Sequence, residues 1–433
     1  MAGTIFAPAT VRGRSAIAVI RVSGPKAWDA VAALTRRELP PPRQTALRYI
    51  YDSKGEILDQ ALIVLFERGQ SATGERLAEL HCHGAPVIVD AVLETLSALD
   101  GLEMAQPGAF TRRALESGRL DLVQIDGLSD LLKAETEAQR RQAMRVYSGA
   151  FSSQVLQWRQ DLVHARAMLE ATIDFSDDEV PDDLSATILA AIDRVQSGLD
   201  VQLAGAKAAE RIRDGFDVAL IGRPNVGKST LLNYIADRDV AITAETAGTT
   251  RDILEVRLDL DGLPVTFLDT AGLRDGSADA IERIGMARTR ARAEKADLRV
   301  VLCESVEDVA SLGLSLGPDD IMVAAKADLM RGRSENAVSG RTGCGVAELL
   351  QTVSKRLQRR AASASDVVRL RHRLAFEKAQ DHLALARNAL EGLGSERAAE
   401  DLRSAALALE TVIGAVGVED LLDEIFAAFC LGK

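Results

Sequence analysis

The sequence contains no run of about 18 apolar residues, the length needed to cross a bilayer as a helix, so no membrane span is expected. Its first residues, Met1-Ala2-Gly3-Thr4-Ile5-Phe6, lack the basic start and apolar core of a secretory signal, and the expected location is the cytoplasm. Cysteine is scarce: Cys82, Cys303, Cys344 and Cys430 are scattered without metal-type spacing, which suits a reducing compartment. Histidine is scarce too, with five in the chain. His81 and His83, in Glu79-Leu80-His81-Cys82-His83-Gly84, would share one face of a strand, but zinc would need two further ligands, so no metal is expected there. Basic residues are in deficit, 52 Lys and Arg against 64 Asp and Glu, for a net charge of −12. That balance argues against a large nucleic-acid footprint, while leaving room for a local basic patch or a basic partner.

What is present is a chain of 433 residues, too long for one ordinary core, with 47% apolar and 27% charged residues as in a folded, soluble protein. Residues 1–117 read as an α/β unit. Ala16 to Val22 and Gln60 to Phe66 are strand-like, Pro25 to Leu34 and Pro86 to Leu99 have helical spacing, and Pro40-Pro41-Pro42 marks a loop. Residues 118–213 turn helical. Leu128, Leu131, Leu132 and Glu135 begin one long amphipathic helix that is expected to run into Phe151, and Leu162, Ala165, Leu169 and Ile173 keep one face apolar in the next. The acidic stretch Asp174 to Pro181 reads as a solvated loop. Residues 214–361 return to alternating strands and helices. Residues 362–433 are helical again, with Leu370, Leu374 and Leu383 on one helix, Leu402, Leu409 and Ile413 on another, and Leu421 to Phe429 on a short last one. Helical stretches on both sides of an α/β domain predict an insertion, with the two helical parts packed together.

The inserted domain carries the chemistry. Gly222-Arg223-Pro224-Asn225-Val226-Gly227-Lys228-Ser229 fits the phosphate-loop pattern, preceded by the strand-like Phe216 to Ile221 and followed by the helix-like Thr230 to Ile235. Glycines let such a loop approach a phosphate, while its N–H groups and the helix N-terminus offer positive partial charge. Lys228 would reach the outer phosphates and Ser229 would ligate magnesium. Asp269-Thr270-Ala271-Gly272 follows the strand Val265 to Leu268, which puts Asp269 near that magnesium and the Gly272 N–H near the terminal phosphate. Thr250, in Ala247-Gly248-Thr249-Thr250-Arg251-Asp252, can complete the magnesium shell and let go after hydrolysis. Guanine-specific domains read the base with N-K-x-D; here the stretch is Ala325-Lys326-Ala327-Asp328, and Asp328 still supplies the carboxylate, so GTP is the expected nucleotide. Ser339-Gly340-Arg341 stands where an S-A-K loop is usual. Leu273 follows Gly272 in place of a water-orienting Gln, and Glu282 is either the group that positions the water or an exposed helix glutamate.

With these pieces the chain resembles the MnmE (TrmE) family of tRNA modification GTPases along its whole length. Ile20-Arg21-Val22-Ser23-Gly24, Pro107 to Ala114 and Gly118-Arg119-Leu120-Asp121-Leu122 resemble the family's N-terminal motifs, Asp269 to Leu273 and Glu282 to Gly285 its switch region, and Phe429-Cys430-Leu431-Gly432-Lys433 its closing F-C-x-G-K. The resemblance implies a multidomain α/β plus all-α fold: an N-terminal α/β folate-binding and dimerising domain, a central helical domain, and an inserted Ras-like GTPase domain. It implies a homodimer through the N-terminal domain. It also implies a complex with MnmG, which brings FAD and NADH, and action on the wobble uridine of certain tRNAs with a tetrahydrofolate derivative as one-carbon donor. By position, Arg21, Glu79, Arg119 and Lys433 match the folate contacts, and Cys430 matches the family's C-terminal cysteine, either a reactive thiol or a buried one. Glu282 becomes the water-orienting residue. GTP contacts fall on Asn225, Val226, Gly227, Lys228, Ser229 and Thr230, on Ala244, Glu245, Thr246, Ala247, Gly248, Thr249 and Thr250, and on Asp269, Thr270, Ala271, Gly272, Lys326, Asp328, Ser339, Gly340 and Arg341. Magnesium falls to Ser229 and Thr250, and a potassium ion to Asn225, Thr249 and the carbonyls of Ala244 and Thr246. Two rival readings are an RNA- or ribosome-associated GTPase switch and a folate-dependent aminomethyl transferase with a regulatory GTPase. The first usually appends a basic RNA-binding domain, which is not seen in these acidic and apolar helices.

Overall fold

A computed structural model describes residues 3–174, 183–237, 255–269, 295–305, 317–330, 336–392 and 394–414, with Phe426, Phe429 and Gly432. The chain divides into two compact units, Met1–Ser129 with Glu410–Lys433, and Asp130–Leu409.

The first unit is built on a six-stranded sheet. Its order is Thr45–Tyr51, Ile57–Phe66, Leu77–Gly84, Ser15–Ser23, Thr4–Pro8, Leu102–Met104. Neighbours are antiparallel except the last pair. Both strand-like runs of the sequence lie inside these strands. Period-two alternation turns Ile20, Val22, Ile63, Leu65, Leu80 and Cys82 to one face, where helices Ala27–Thr35 and Pro86–Ser97 cover them with Val31, Leu34, Val92 and Leu96. The opposite face carries Arg21, Glu79 and His81, and these partly exposed polar residues sit in register on adjacent strands.

The second unit joins helices to a second sheet. The single helix expected from Leu128 to Phe151 is instead three: Leu122–Lys133, Glu137–Tyr147 and Ala150–Asp174. Two local features cut it. Thr136 is extended, and the Gln139 side-chain carbonyl reaches back to the N–H groups of Glu135 and Thr136, a helix start written as T-x-x-Q. Gly149 then turns through φ +83°, and a new helix begins. Helix Ala150–Asp174 packs on the long helix Asp183–Asp214, which also packs on Leu370–Glu391. Between them Trp158 and Phe151 meet Phe376, ring centroids 5.8 and 5.9 Å apart. Gly198 permits this approach, since a Cβ there would lie 2.4 Å from the Trp158 ring. Helix Leu370–Glu391 forms as expected. His372, Ala375, Phe376, Ala379, Leu383 and Ala386 turn inward, leaving Leu370 and Leu374 more than half exposed. The next helix, Ser395–Ile413, buries Leu402 and Leu409. The acidic stretch after Asp174 and the short helix expected over 421–429 lie outside the described residues, apart from Phe426 and Phe429.

The second sheet runs Ala337–Val338, Ile321–Ala325, Leu298–Cys303, Phe216–Ile221, Leu263–Asp269, Glu255–Leu260. All pairs are parallel except the last, a hairpin. The inner strands are near-continuous apolar runs, as a sheet covered on both faces requires, and helices Lys228–Ala236 and Val346–Ala361 contribute Leu231, Leu232, Leu349 and Val353 to the core.

Candidate functional site

In an open parallel sheet the strands deliver their following loops to one edge, and ligands bind there. Here that edge receives the loop after Ile221, Asp269 at its own strand end, Glu304 after Cys303, Lys326 to Asp328 after Ala325, and Ser339 after Val338.

The phosphate loop is shaped by close approach and by left-handed turns. A Cβ on Gly222 would lie 2.5 Å from the carbonyl oxygen of Leu302 on the neighbouring strand. Asn225 and Gly227 turn at φ +62° and +111°, and the helix starts at Lys228. Lys228 is buried and its ammonium donates to the carbonyls of Gly222 and Arg223 at 2.7 and 2.9 Å, so its charge is folded over the loop. The Ser229 hydroxyl donates to Asp269 Oδ2 at 2.5 Å. Asp269 is buried, and the two oxygens form a hard, all-oxygen donor set of the kind magnesium takes.

The stretch expected to read a base is held on a short 3₁₀ turn, Ala327–Leu329, entered by Lys326 at φ +59°. Ser339 donates to Asp328 Oδ1 at 2.6 Å and accepts from the N–H groups of Arg341 and Thr342. That hydroxyl, first among several contributions, holds the Asp328 carboxyl below its usual range. The Gly340 backbone presses on the helix after the phosphate loop, where a Cβ would lie 2.5 Å from Leu231 N. The base loop and the phosphate loop therefore share one wall. One partner was not anticipated: Glu304 Oε1 takes the Lys326 ammonium at 2.7 Å. Its position directly after a strand that lines the site was the available signal.

Of the residues anticipated from sequence, the structure brings together Asn225, Val226, Gly227, Lys228, Ser229, Thr230 and Asp269 around the phosphate loop. It gathers Lys326, Asp328, Ser339, Gly340 and Arg341 in the base loop. Ala244 to Thr250, Thr270 to Gly272, Glu282, Cys430 and Lys433 lie outside the described residues.

In the first unit Arg21 donates through Nε and Nη2 to Glu79 Oε1 at 3.2 and 3.0 Å, and through Nη1 to the carbonyl of Gly432 at 3.1 Å. The guanidinium also stands 5.8 Å from the centre of the Phe110 ring. Arg119 is exposed on the turn after helix Ala109–Glu116 and makes no hydrogen bond to this pair. His81 and His83 do share a face, but each turns to a carboxylate, His81 to Glu79 and His83 to the buried Asp59 at 2.7 Å. Among the described residues no group of three or more His, Cys, Asp or Glu could hold a metal ion. Between the two histidines, burial and then the Asp59 charge push the Cys82 thiol up to about 12.

Comparison with known proteins covers almost the whole chain. The family described as "GTP-binding protein TrmE N-terminus" matches residues 4–119, and the "MnmE helical domain" matches residues 122–430. The "tRNA modification GTPase MnmE" of Dinoroseobacter shibae is 53% identical over 431 residues, spanning 99% of this chain and 100% of the relative. Its namesake from Cereibacter sphaeroides is 53% identical over 433 residues, with the same coverage. Among solved structures, Era of Aquifex aeolicus aligns with 32% of this chain and 56% of its own, at 24% identity and a TM-score of 0.24.

Proposed function

The chain belongs to the MnmE family of tRNA modification GTPases, and on that premise we propose how its residues divide the work. It is a GTP-hydrolysing enzyme of tRNA wobble-uridine modification. On this reading residues 1–117 bind folate and dimerise, 118–213 and 362–433 form the helical domain, and 214–361 form the GTPase domain.

The observation that carries the nucleotide site is the meeting of Lys228, Ser229 and Asp269 at the strand ends that also deliver Asp328. Lys228 and the loop N–H groups bind the outer phosphates of GTP. Ser229, with Thr250, would hold magnesium, with Asp269 orienting the Ser229 hydroxyl. When bound, the ion neutralises charge that develops on the phosphates. Asp328 accepts from guanine N1 and its exocyclic amine, and Ser339 keeps that carboxylate ionised and aimed. Asn225, at the left-handed turn of the loop, would contribute to a potassium site with Thr249 and the carbonyls of Ala244 and Thr246, and Glu282 would position the attacking water.

Arg21 and Glu79 would bind a tetrahydrofolate derivative, with Arg119 and Lys433 completing the contacts. In support, the Arg21 guanidinium already bonds the carbonyl of Gly432, the residue before Lys433. A homodimer, a cytoplasmic location and a complex with MnmG, which brings FAD and NADH, complete the proposal. Single-turnover GTP hydrolysis tests the catalytic assignment: Glu282→Ala should keep GTP affinity and lose most of the rate. Undiminished turnover would refute the role of Glu282.

A further inference from the structure

We propose that Glu304 is a positioning residue of the guanine pocket. Through Lys326 it braces the base loop at the place where the asparagine amide of N-K-x-D is missing. The proposal rests on reading Ala325 to Asp328 as that loop.

The Ala325 side chain has no hydrogen-bonding group with which to brace the loop. Its methyl is buried in the apolar core with Val323 and Val338, and it ends its strand there. The next residue, Lys326, takes a left-handed conformation at φ +59°, which a non-glycine residue keeps only when its surroundings hold it. Pairing of the parallel strands sets Cys303 opposite Ala324, so Glu304 emerges beside the start of the loop. Its carboxylate meets the Lys326 ammonium at 2.7 Å. From the other side, Ser339 holds Asp328 at 2.6 Å. The loop is thus fixed at both ends by side chains, one at its entry and one at its base-reading carboxylate. With its ammonium held on Glu304, the Lys326 stem has a fixed course, and its methylenes can cover one face of a purine.

The size of the effect follows from exposure. The Lys326 and Glu304 side chains are 38% and 51% exposed, so the pair is solvent-screened and its loss should change affinity by about two- to fivefold, far less than loss of Asp328.

The test is stopped-flow dissociation of fluorescent GDP from the full-length protein, comparing wild type with Glu304→Gln, Glu304→Asp, Lys326→Ala and the Glu304→Gln/Lys326→Ala double variant. Potassium is held constant and ionic strength is varied with choline chloride. E304Q should release GDP about two- to fivefold faster, in keeping with an exposed pair. E304D should recover part of the loss, and the double variant should be no faster than K326A alone. The wild-type rate should rise with ionic strength more steeply than that of E304Q, which keeps only the salt dependence of the phosphate contacts. An E304Q rate equal to wild type, or fully multiplicative effects in the double variant, would overturn the proposal. Asp328→Asn separates the two levels of the argument. If D328N does not shift preference from GDP to XDP, the reading of the base loop itself fails. If it does shift and E304Q is silent, only the role of Glu304 fails.

Discussion

Ser229, Lys228 and Asp328 each show a side chain whose polar partners are set before any ligand arrives. The Ser229 hydroxyl is already aimed by a buried carboxylate, and the Lys228 ammonium already lies over the loop. Lys228→Ala should therefore abolish GTP binding without unfolding the chain, which equilibrium titration with a fluorescent analogue, alongside far-UV circular dichroism, would check. Cys82 gives the opposite prediction at the same scale. Its thiol is held near 12 against an ordinary 9.0, so it stays neutral and inert at pH 8, while Cys344 is exposed. Brief alkylation of native protein at that pH should label Cys344 and spare Cys82 in peptide mass spectra. The sign of the linkage also follows. Between about pH 9 and 12 the unfolded chain releases this proton and the folded one keeps it, so stability falls as pH rises through that window. Residue identities around the phosphate loop were legible because their spacing is dictated by phosphate geometry. For Glu304 the sequence offers only its position after a strand that lines the site; its partner lies in a different strand connection, and only strand pairing brings the two together.

Among the elements, the short helix Glu137–Tyr147 ties the helical part to the nucleotide part within the second unit. The Gln139 and Gln142 amides donate to the carbonyls of Arg213 and Ala209, near the end of the long helix that leads into the phosphate-loop strand. The Ala138 N–H donates to Gly262 in the hairpin turn before the strand of Asp269, and Arg257 pairs with Glu135 beside it. Gln142 is buried, so Gln142→Ala leaves the Ala209 carbonyl without that donor and should cost about 1–3 kcal/mol in urea unfolding. Gly198→Ala should cost a similar amount, about 1–3 kcal/mol, by overpacking against Trp158. Among the described residues apolar periodicity marks helical stretches but misses where one helix stops and the next begins. The breaks come from a reciprocal side-chain cap at Thr136 and Gln139 and from the conformation of Gly149, which leave the apolar pattern intact. In Leu370–Glu391 the leucine spacing marks the helix, and of Leu370, Leu374 and Leu383 the last is the one buried. There the small and aromatic residues pack close to neighbouring helices, and Leu370 and Leu374 are left outside.

For the whole molecule, sequence order carried more than any single motif. A phosphate loop, an aspartate at a strand end and a base-reading stretch follow one another at the spacing of a parallel sheet, with helical sequence on both sides. Relatives about half identical over nearly the full length place that order in a family of tRNA modification GTPases. Coverage of both the N-terminal unit and the helical part matters here, since a phosphate loop alone would fit many GTP switches. Nucleotide turnover in such a chain serves a chemical change in tRNA. Mass spectrometry of tRNA nucleosides from cells lacking the protein tests it most directly. A modified wobble uridine should be lost, and restored by the intact gene but not by a Lys228→Ala copy. Unchanged nucleosides in the deleted strain would contradict it.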